Sequence, residues 1–453
     1  MSVLLDLIYL LAALIASPWV VYRLFVRGDR RSLAARFGAG LGDAVHGSIW
    51  LHGSSAGEIA LLVPLVDRLE RSGVTNPIVI SAYSATGYSA ARKAFPGRRV
   101  IFFPFDLSFI VRRIFNRLDP RLIVIVEAEF WPNFLRQAAR RSIPVAIING
   151  KMSDKSFRFH ARTRLVPALL RGLELVAVQT DVYESRLLAL GFPRERLRVT
   201  GNMKYDLTGA PEQAQDVREL RARFGYEDDD VVIIGGSVHD REDEALIVAF
   251  EKLVAKRASA GLVLVPRYPR DAARIEQLAA ARGLKTVRKT AVDQGSAAAP
   301  GTEGIFIVDT VGELRALYGI ADIAFVGGSL FFRGSNRGGH NLMEPAVLGL
   351  PVVFGPYNFS FADTARELVT SGGGFEVGNV DALVDVLQRL LDEAALRDDA
   401  GRRARDVVVQ GRGATQRNFD LLMPLVDAAN GRLPASGLGP TMPPAMSDLD
   451  LNA

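Results

Sequence analysis

The chain has 453 residues, of which 49% are hydrophobic and 23% charged, with a formal net charge of +5. Cysteine is absent, which excludes disulfides, thiolate nucleophiles and cysteine-based metal sites, and only five histidines disfavour a histidine-rich metal site. The length predicts two domains. The net positive charge suits anionic partners, although the basic residues are scattered along the chain, which disfavours nucleic acid.

An apolar stretch over residues 3–21 opens the chain and is about as long as a membrane-crossing helix requires. Arginines follow it and no basic residue precedes it, so a cleaved signal peptide is disfavoured. The positive-inside rule then places the remainder of the chain in the cytoplasm. Residues 1–30 are predicted to be a membrane anchor with a basic flank, while Asp6 and Pro18 leave open a helix that lies in the interface.

From Ser48 onwards, short apolar runs alternate with amphipathic stretches, a pattern that predicts βαβ units and parallel sheets. The strands predicted in the first half cover residues 49–51, 78–82, 100–103, 122–126, 145–148 and 175–178. Those predicted in the second half cover residues 231–234, 262–265, 305–308, 323–326 and 352–354. Helical spacing recurs at 382–391 and 400–422, and packing of this last material onto the first domain is left open.

The predicted fold class is therefore α/β, with two parallel-sheet domains behind an N-terminal anchor helix. Residues 208–230 are polar, contain Pro211 and end in an acidic run, which is typical of a linker. The end of the chain is rich in proline, glycine and serine, which is typical of disorder. The predicted parts are the anchor over 1–30, the first domain over 31–207, the linker over 208–230, the second domain over 231–425 and a disordered tail over 426–453.

The first predicted strand runs into the sequence HGSSAGE, which ends at Glu58 in the first turn of a predicted helix. Substrate sites of α/β domains form at this carboxyl edge of the sheet. An acidic residue at a helix start commonly does no more than complement the helix dipole, and this alternative stays open for Glu58. The functional alternative is a general base, because enclosure by apolar residues or an anionic substrate raises the basicity of a carboxylate.

Two further acidic residues, Glu127 and Glu129, follow the predicted strand 122–126. Residues two apart at a strand end point to the same side, so one site could hold both carboxylates. Lys204, in the sequence GNMKYD just before the linker, could offset negative charge that develops on a leaving group. Surface charge is the ordinary role of a lysine and remains the alternative for Lys204.

The second half carries polar segments after three predicted strands. The sequence GGHNLMEP over residues 338–345 is a glycine-rich turn followed by a helix start with an acidic residue, which indicates a nucleotide held at the sheet edge. Arg267 could meet a phosphate with its planar guanidinium, and the backbone N–H groups of residues 311–313 could hold a phosphate or base. No G-x-G-x-x-G follows the opening strand of either half, which disfavours a dinucleotide dehydrogenase.

The ordered motifs resemble those of the bacterial 3-deoxy-D-manno-octulosonic acid (Kdo) transferases of lipid A assembly, from the N-terminal end to about residue 420. They are LHGSSAGE ending at Glu58, SATG at 84–87, FPFD at 103–106, VEAEFWPN at 126–133, GNMKYD at 201–206, VPRYP at 265–269, DTVGEL at 309–314 and GGHNLMEP at 338–345. The resemblance implies the GT-B architecture of two facing Rossmann-like domains. It also implies transfer of Kdo, with inversion, from CMP-Kdo to a lipid A precursor. It also implies an enzyme without a bound metal or other cofactor, held at the cytoplasmic face of the bacterial inner membrane.

By the same resemblance, Glu58 matches the proton acceptor, whereas Glu127 and Lys204 match residues that stabilise the transition state. The first domain is then the acceptor-binding domain and the second binds the CMP-sugar. The implied contacts of CMP are Pro266, Arg267, Val311, Gly312, Glu313, Asn341, Leu342, Met343 and Glu344.

Three features depart from the family pattern. Lys151 stands where the family usually has arginine, Tyr268 stands where it usually has histidine, and residues 334–337 look like an insertion. Two alternatives therefore stay open. One is a GT-B glycosyltransferase or epimerase that uses a nucleoside diphosphate sugar, and the other is a membrane-tethered nucleotide-binding protein that has lost catalysis.

Overall fold

The computed structural model describes residues 6, 7, 9, 11, 30–127, 129–163, 169, 170, 172–209, 214–255, 260–334 and 338–431. The chain divides into two compact units. The first combines Met1–Leu207 with Arg412–Ala453, and the second is Thr208–Gly411. Each unit contains its own parallel sheet.

The sheet of the first unit has, among the described residues, seven strands in the order β3-β2-β1-β4-β5-β6-β7. All of its recorded strand pairs are parallel. The strands are β1 (Ser48–His52), β2 (Ile78–Ala82), β3 (Arg99–Phe102), β4 (Pro120–Val126), β5 (Val145–Gly150), β6 (Leu175–Val178) and β7 (Leu197–Val199). Chain order reverses between β1 and β4, and such a switch point is where open α/β sheets bind their ligands.

Helices connect these strands, and a last helix returns to the first unit from the end of the chain. They are α1 (Arg30–Arg36), α2 (Ala56–Arg71), α3 (Ala85–Ala94), α4 (Ser108–Leu118), α5 (Pro132–Arg140), α6 (Asp154–Thr163), α7 (Asp181–Ala189) and, from the end of the chain, Ala414–Ala429. Two 3-10 turns, Arg194–Arg196 and Met203–Leu207, lie on either side of β7.

The central strands of this sheet are buried on both faces, as expected of a parallel sheet covered by helices. In β1, Ile49 and Leu51 pack into one hydrophobic cluster and Trp50 packs into the cluster on the opposite face. The Trp50 ring lies 5.7 Å from Phe115 and 5.0 Å from Phe134, measured between centroids. Packing on both faces fixes the register of β1 and the position of the loop that follows it.

The last helix is attached to the first unit by Asp206. Its carboxylate accepts hydrogen bonds of 2.6 Å from the backbone N–H groups of Gly413 and Thr415, at the N-terminus of that helix. Asp206→Ala is expected to lower the free energy of unfolding by about 1–2 kcal/mol, because two N–H groups lose their acceptor. Urea denaturation measures the change, and the exposed Asp420→Ala on the same helix is the control. Equal stability of the two variants would contradict this role.

The second sheet also has seven strands among the described residues, in the order β10-β11-β9-β8-β12-β13-β14, and its recorded pairs are parallel. The strands are β8 (Val231–Val238), β9 (Ala260–Pro266), β10 (Thr286–Arg288), β11 (Ile305–Ile307), β12 (Ile323–Val326), β13 (Val352–Phe354) and β14 (Gly374–Glu376). The switch point of this sheet lies between β8 and β12.

The helices of the second unit cover both faces of its sheet with apolar side chains. They are α8 (Ala214–Arg223), α9 (Glu242–Val254), α10 (Ala272–Ala280), α11 (Lys289–Asp293), α12 (Leu314–Tyr318), α13 (Met343–Val347), α14 (Ala362–Ser371), α15 (Val380–Asp392) and α16 (Ala394–Gly411); the helix Ala414–Ala429 of the first unit is α17. Two 3-10 turns, Pro269–Asp271 and Gly301–Glu303, complete the unit.

The structure differs from the expected boundaries at the end of the second half. The helical stretch predicted over 400–422 is interrupted at Gly413, whose φ of 87° ends α16 and lets the chain turn into α17. Leu422 and Val426 of α17 belong to the core of the first unit, so the second unit ends at Gly411 instead of residue 425. The stretch predicted as a linker, 208–230, lies in the second unit and contains α8.

The predicted anchor over residues 1–30 lies outside the described residues, apart from positions 6, 7, 9, 11 and 30, and so does the predicted tail beyond residue 431. Asp6 accepts hydrogen bonds from the backbone N–H of Ser108 at 2.9 Å and from the Asn133 amide at 3.0 Å. Tyr9 donates to Asp106 at 3.3 Å. Within the part of the chain that is described, no helix has both the length and the apolar character needed to cross a membrane.

Candidate active site

Glu58 lies in the first turn of α2, directly beyond the carboxyl end of β1. Ser55 is the N-cap of the helix, and its hydroxyl accepts from the Glu58 N–H at 3.3 Å. The carboxylate accepts from the Ser54 N–H at 2.6 Å and from the Ser55 hydroxyl at 2.8 Å. These contacts form a reciprocal cap, so the role in helix capping is present in the structure. They also hold the carboxylate in one orientation at the sheet edge.

The protonation of Glu58 departs from that of an ordinary capping residue. Burial and the negative charge of Glu127 raise the pKa of Glu58 to about 7, against the opposing effect of its hydrogen bonds with Ser54 and Ser55. Glu129 adds a smaller contribution in the same direction. A carboxylate with a pKa near the operating pH can accept a proton effectively, which is the property that a general base requires.

Glu127 begins the loop after β4 and is only 8% exposed. Its φ of 61° is left-handed, a conformation that costs energy for a residue with a side chain. Lys151 lies 2.6 Å from one of its oxygens and Lys204 lies 3.6 Å from the other. The strained backbone therefore places a buried carboxylate between two cations, and the two ion pairs explain how the charge is tolerated.

Glu129 is held by a chain of hydrogen bonds that runs through the sheet. The Trp50 indole N–H donates to the Ser81 hydroxyl at 2.8 Å, and that hydroxyl lies 2.9 Å from Nδ1 of His52. If Ser81 donates to Nδ1, the proton of His52 is on Nε2, which lies 3.1 Å from the Glu129 carboxylate. Although burial raises the pKa of Glu129, hydrogen bonds from His52, Ser54 and Trp131 lower it overall. Glu129 is therefore a fixed negative charge.

The structure brings three of the predicted site residues together at the switch point of the first sheet. Glu58 follows β1 and Glu127 follows β4, which are adjacent strands. Lys204 lies in the 3-10 turn Met203–Leu207 and reaches Glu127. A general base candidate, a buried carboxylate and two lysines thus share one edge of the sheet, where a hydroxyl group could lose a proton as negative charge develops on a second group.

Among the residues predicted to contact a nucleotide, Pro266 ends β9 and Arg267 follows it. The Arg267 N–H donates to Val238 at the end of β8 at 2.8 Å, and its guanidinium lies 5.8 Å from the Tyr268 ring. The segment Val311 to Glu313 precedes α12 and leaves Val311 82% exposed. All of these residues lie at the carboxyl edge of the second sheet.

The segment from Asn341 to Glu344 leads into α13, at the same edge of the second sheet. The Asn341 amide donates to the Glu344 carboxylate at 3.0 Å, and burial raises the pKa of Glu344 despite this bond. Leu342 and Met343 are almost fully buried, so their side chains belong to the core. Only their backbone groups could contact a ligand.

The sequence does not predict two residues that contact the acidic side chains at the edge of the first sheet. In the sequence, Lys151 is only a departure from the family pattern, whereas the structure pairs it with Glu127. His52 was treated as part of a loop motif, whereas its completely buried ring bonds Glu129, which lies 77 positions later. A histidine directly after the apolar run 49–51 is the available signal, because a buried imidazole requires partners.

No group of three or more histidine, cysteine, aspartate or glutamate side chains in the described residues could hold a metal ion. At this site Glu127 is paired with Lys151, and Glu129 and Glu58 accept hydrogen bonds.

Comparison with known proteins identifies the family. Residues 31–207 match the family model described as 3-Deoxy-D-manno-octulosonic-acid transferase (kdotransferase). A 3-deoxy-D-manno-octulosonic acid transferase of Haemophilus influenzae is 32% identical over 383 residues, which cover 84% of this chain and 87% of that relative.

Two solved structures share the fold, which is of the GT-B type. A UDP-GlcNAc 2-epimerase from Neisseria meningitidis has a TM-score of 0.55 at 13% identity, covering 83% of this chain and 100% of its own. A glycosyltransferase from Rickettsia africae has a TM-score of 0.53 at 13% identity, covering 85% of this chain and 99% of its own. Family and fold agree with the motifs, and the chain belongs to the 3-deoxy-D-manno-octulosonic acid transferase family of glycosyltransferases.

Proposed function

We propose that the protein transfers Kdo from CMP-Kdo to a lipid A precursor, with inversion at the anomeric carbon. Membership in the Kdo transferase family supports the reaction class. The observation that carries the proposal is the carboxylate of Glu58, which is fixed by two hydrogen bonds at a sheet switch point and has its pKa raised to about 7. Such a group can deprotonate a sugar hydroxyl near neutral pH.

In the proposed mechanism, Glu58 accepts the proton of the acceptor hydroxyl as the oxygen attacks the anomeric carbon of Kdo. The bond between that carbon and the phosphate oxygen of CMP breaks, and CMP leaves with the bonding electrons. Inversion follows because the acceptor attacks from the face opposite the leaving group. The Ser54 and Ser55 contacts orient the base.

Lys204 is proposed to stabilise negative charge in the transition state, and Glu127 to hold Lys204 in place. Lys151 bonds the other oxygen of Glu127 and reduces the net negative charge of the group. We include Lys151 as a positioning residue, because it reaches only Glu127 among the candidate residues.

The second unit is proposed to bind the CMP part of the donor. Arg267 suits the phosphate, since its guanidinium can make two parallel hydrogen bonds. The other proposed contacts are Pro266, Val311, Gly312, Glu313, Asn341, Leu342, Met343 and Glu344, with Leu342 and Met343 acting through their backbone. No metal or other cofactor enters this proposal.

The cytoplasmic face of a bacterial inner membrane is the proposed location. The apolar sequence of residues 3–21 and the arginines after it support an N-terminal anchor. A lipid A precursor is amphiphilic, so attachment to the membrane surface would bring the enzyme to its acceptor.

The proposed function is tested by incubating the purified full chain with CMP-Kdo and a lipid A precursor. Mass spectrometry of the lipid product is expected to show one or more added Kdo units. Unfolding midpoints with CMP and with UDP separate the alternatives, since a bound ligand stabilises the folded state. Stabilisation by UDP instead of CMP favours the nucleoside diphosphate sugar alternative. CMP binding without any transfer favours a protein that has lost catalysis.

The pH dependence of transfer gives a further prediction. Glu58 must be ionised to accept a proton, so kcat/KM is expected to rise with pH through a midpoint near the pKa of about 7. Burial and the Glu127 charge are the larger causes of the raised pKa, and the Glu129 charge adds to them. Glu129→Gln is therefore expected to move the midpoint to lower pH.

A series of initial rates between about pH 5 and pH 9 measures this midpoint. Glu174→Gln, which removes a surface carboxylate of the same unit, is the control and should leave the midpoint unchanged. Loss of activity at every pH without a shift would mean that Glu129 acts only in folding.

A further inference from the structure

A cavity of about 690 Å³ lies wholly within the second unit, at the switch point between β8 and β12. His239, Asp240 and Arg241 follow β8, and Arg333 lies in the loop after β12. Tyr268, which stands where the family pattern has histidine, completes one wall. A switch point is where an open parallel sheet binds its ligand, so the position of the cavity indicates a binding site.

The charges that line this cavity favour an anion. The charged side chains that line it are Arg241, Arg333 and Asp240, and the Asp240 carboxylate pairs with Arg333 at 3.1 Å. Arg241 has a left-handed backbone, with a φ of 72°, and its guanidinium lies 4.1 Å from the centre of the Phe331 ring. The side chains that line the cavity therefore carry one net positive charge, and Arg267 lies nearby.

Two histidines give the cavity uncharged hydrogen-bonding groups. The rings of His239 and His340 are stacked at 9°, and their Nε2 atoms are 3.0 Å apart. Burial and neighbouring arginines lower the pKa of His239 to about 4, and burial, with the His239 ring, does the same for His340. One neutral ring must donate to the other, so the pair retains one N–H donor and one bare nitrogen acceptor at its two Nδ1 atoms. A hydroxyl group can use either.

The buried carboxylate of Glu242 holds the loops after β8 and β12 beside the cavity. Glu242, 1% exposed, accepts hydrogen bonds from the backbone N–H groups of His239 at 3.0 Å, Gly328 at 2.7 Å, Ser329 at 2.8 Å and Leu330 at 2.9 Å. One side chain thus joins the loop after β8 to the loop after β12. This part of the cavity wall is preformed, which reduces the entropy lost when a ligand binds.

We propose that this cavity is the subsite for the carboxylated sugar of the donor, with Arg333 binding the carboxylate and the His239–His340 pair binding hydroxyl groups. A polyhydroxylated carboxylic acid matches both the positive charge and the neutral donor and acceptor. The inference rests on the proposed function, since Kdo is such a sugar. The phosphate of CMP is the other anion that the same charge could attract, and the experiment separates the two.

The test uses two variants that break the same ion pair but change the charge of the cavity in opposite directions. Arg333→Gln removes a positive charge, and we expect the KM for CMP-Kdo to rise about tenfold. Asp240→Asn removes the competing carboxylate, and we expect the KM to fall or stay at the wild-type value. The affinity for CMP alone, measured by calorimetry, should stay within about twofold in both. Arg402→Gln, at an exposed pair on α16, is the control.

Any other outcome contradicts the assignment of Arg333 to the carboxylate of the donor sugar. If both variants raise the KM alike, the ion pair is only structural. If Arg333→Gln weakens CMP binding in parallel, the cavity takes the phosphate, and if it leaves the KM unchanged, the cavity takes no anion of the donor. Absence of Kdo transfer by the wild-type chain would instead refute the proposed function. Both side chains are substantially exposed, so neither variant should fail to fold.

Discussion

Glu58→Gln is expected to lower kcat for Kdo transfer by about 10²–10⁴-fold, the usual contribution of a general base. Glutamine keeps the shape of the side chain and can still accept a hydrogen bond from Ser54 or Ser55, but its amide cannot take a proton from the acceptor hydroxyl. Transfer is measured as initial rates with CMP-Kdo and a lipid A precursor. CMP affinity, measured by calorimetry, should not change, because the proposed CMP contacts lie in the second unit.

The matched control is Glu70→Gln, a change of the same kind on the same helix α2. Both variants should unfold at a midpoint close to that of the wild type, because glutamine also suits the capping position of residue 58. Near-normal turnover of Glu58→Gln would remove Glu58 as the base and would leave only its role in helix capping.

Lys204→Met is expected to lower kcat by about 10²–10³-fold, the range seen when one preorganised charge or donor is removed from a transition state. Methionine has nearly the length of lysine but no charge. The structure also predicts that folding survives, because Glu127 keeps its 2.6 Å contact with Lys151 when Lys204 is lost. Single-turnover rates at saturating substrate and an unfolding midpoint together measure this separation of activity from stability.

Lys155→Met, at an exposed lysine of α6 in the same unit, is the control and should match the wild type. A Lys204→Met variant with normal turnover would contradict transition-state stabilisation. A variant with lowered stability and proportionally lowered activity would indicate that Lys204 only supports the local fold around Glu127.

The centres of both sheets could be predicted because their strands contain continuous apolar runs. Strands β2, β6, β12 and β13 have the predicted bounds, and others differ by a few residues at their ends. The missed strands β7, β10 and β14 are three residues long and lie at sheet edges. Such strands bury little and carry polar residues such as Arg198 and Arg288, so their periodicity is too short to detect.

The site was predictable where a residue adjoins a strand end. Glu58 and Glu127 follow predicted strands, whereas Lys204 was predicted from its position just before the polar stretch 208–230. The structure places all three residues at one sheet edge. The interactions that set their chemistry were not predictable. The His52–Glu129 hydrogen bond joins residues 77 positions apart, so no local pattern shows it. Whether a residue presents its side chain or only its backbone, as at Leu342, likewise depends on burial in the folded unit.

The left-handed backbone at Glu127 has a consequence for protein engineering. Glycine adopts a φ of 61° without steric cost, so Glu127→Gly would relieve the backbone and would remove a buried charge. A redesign guided by stability alone would therefore tend to select against this glutamate and release the two lysines that it holds. Position 127 should accordingly be fixed when more heat-resistant variants are sought, since stability and the proposed activity make opposite demands on it.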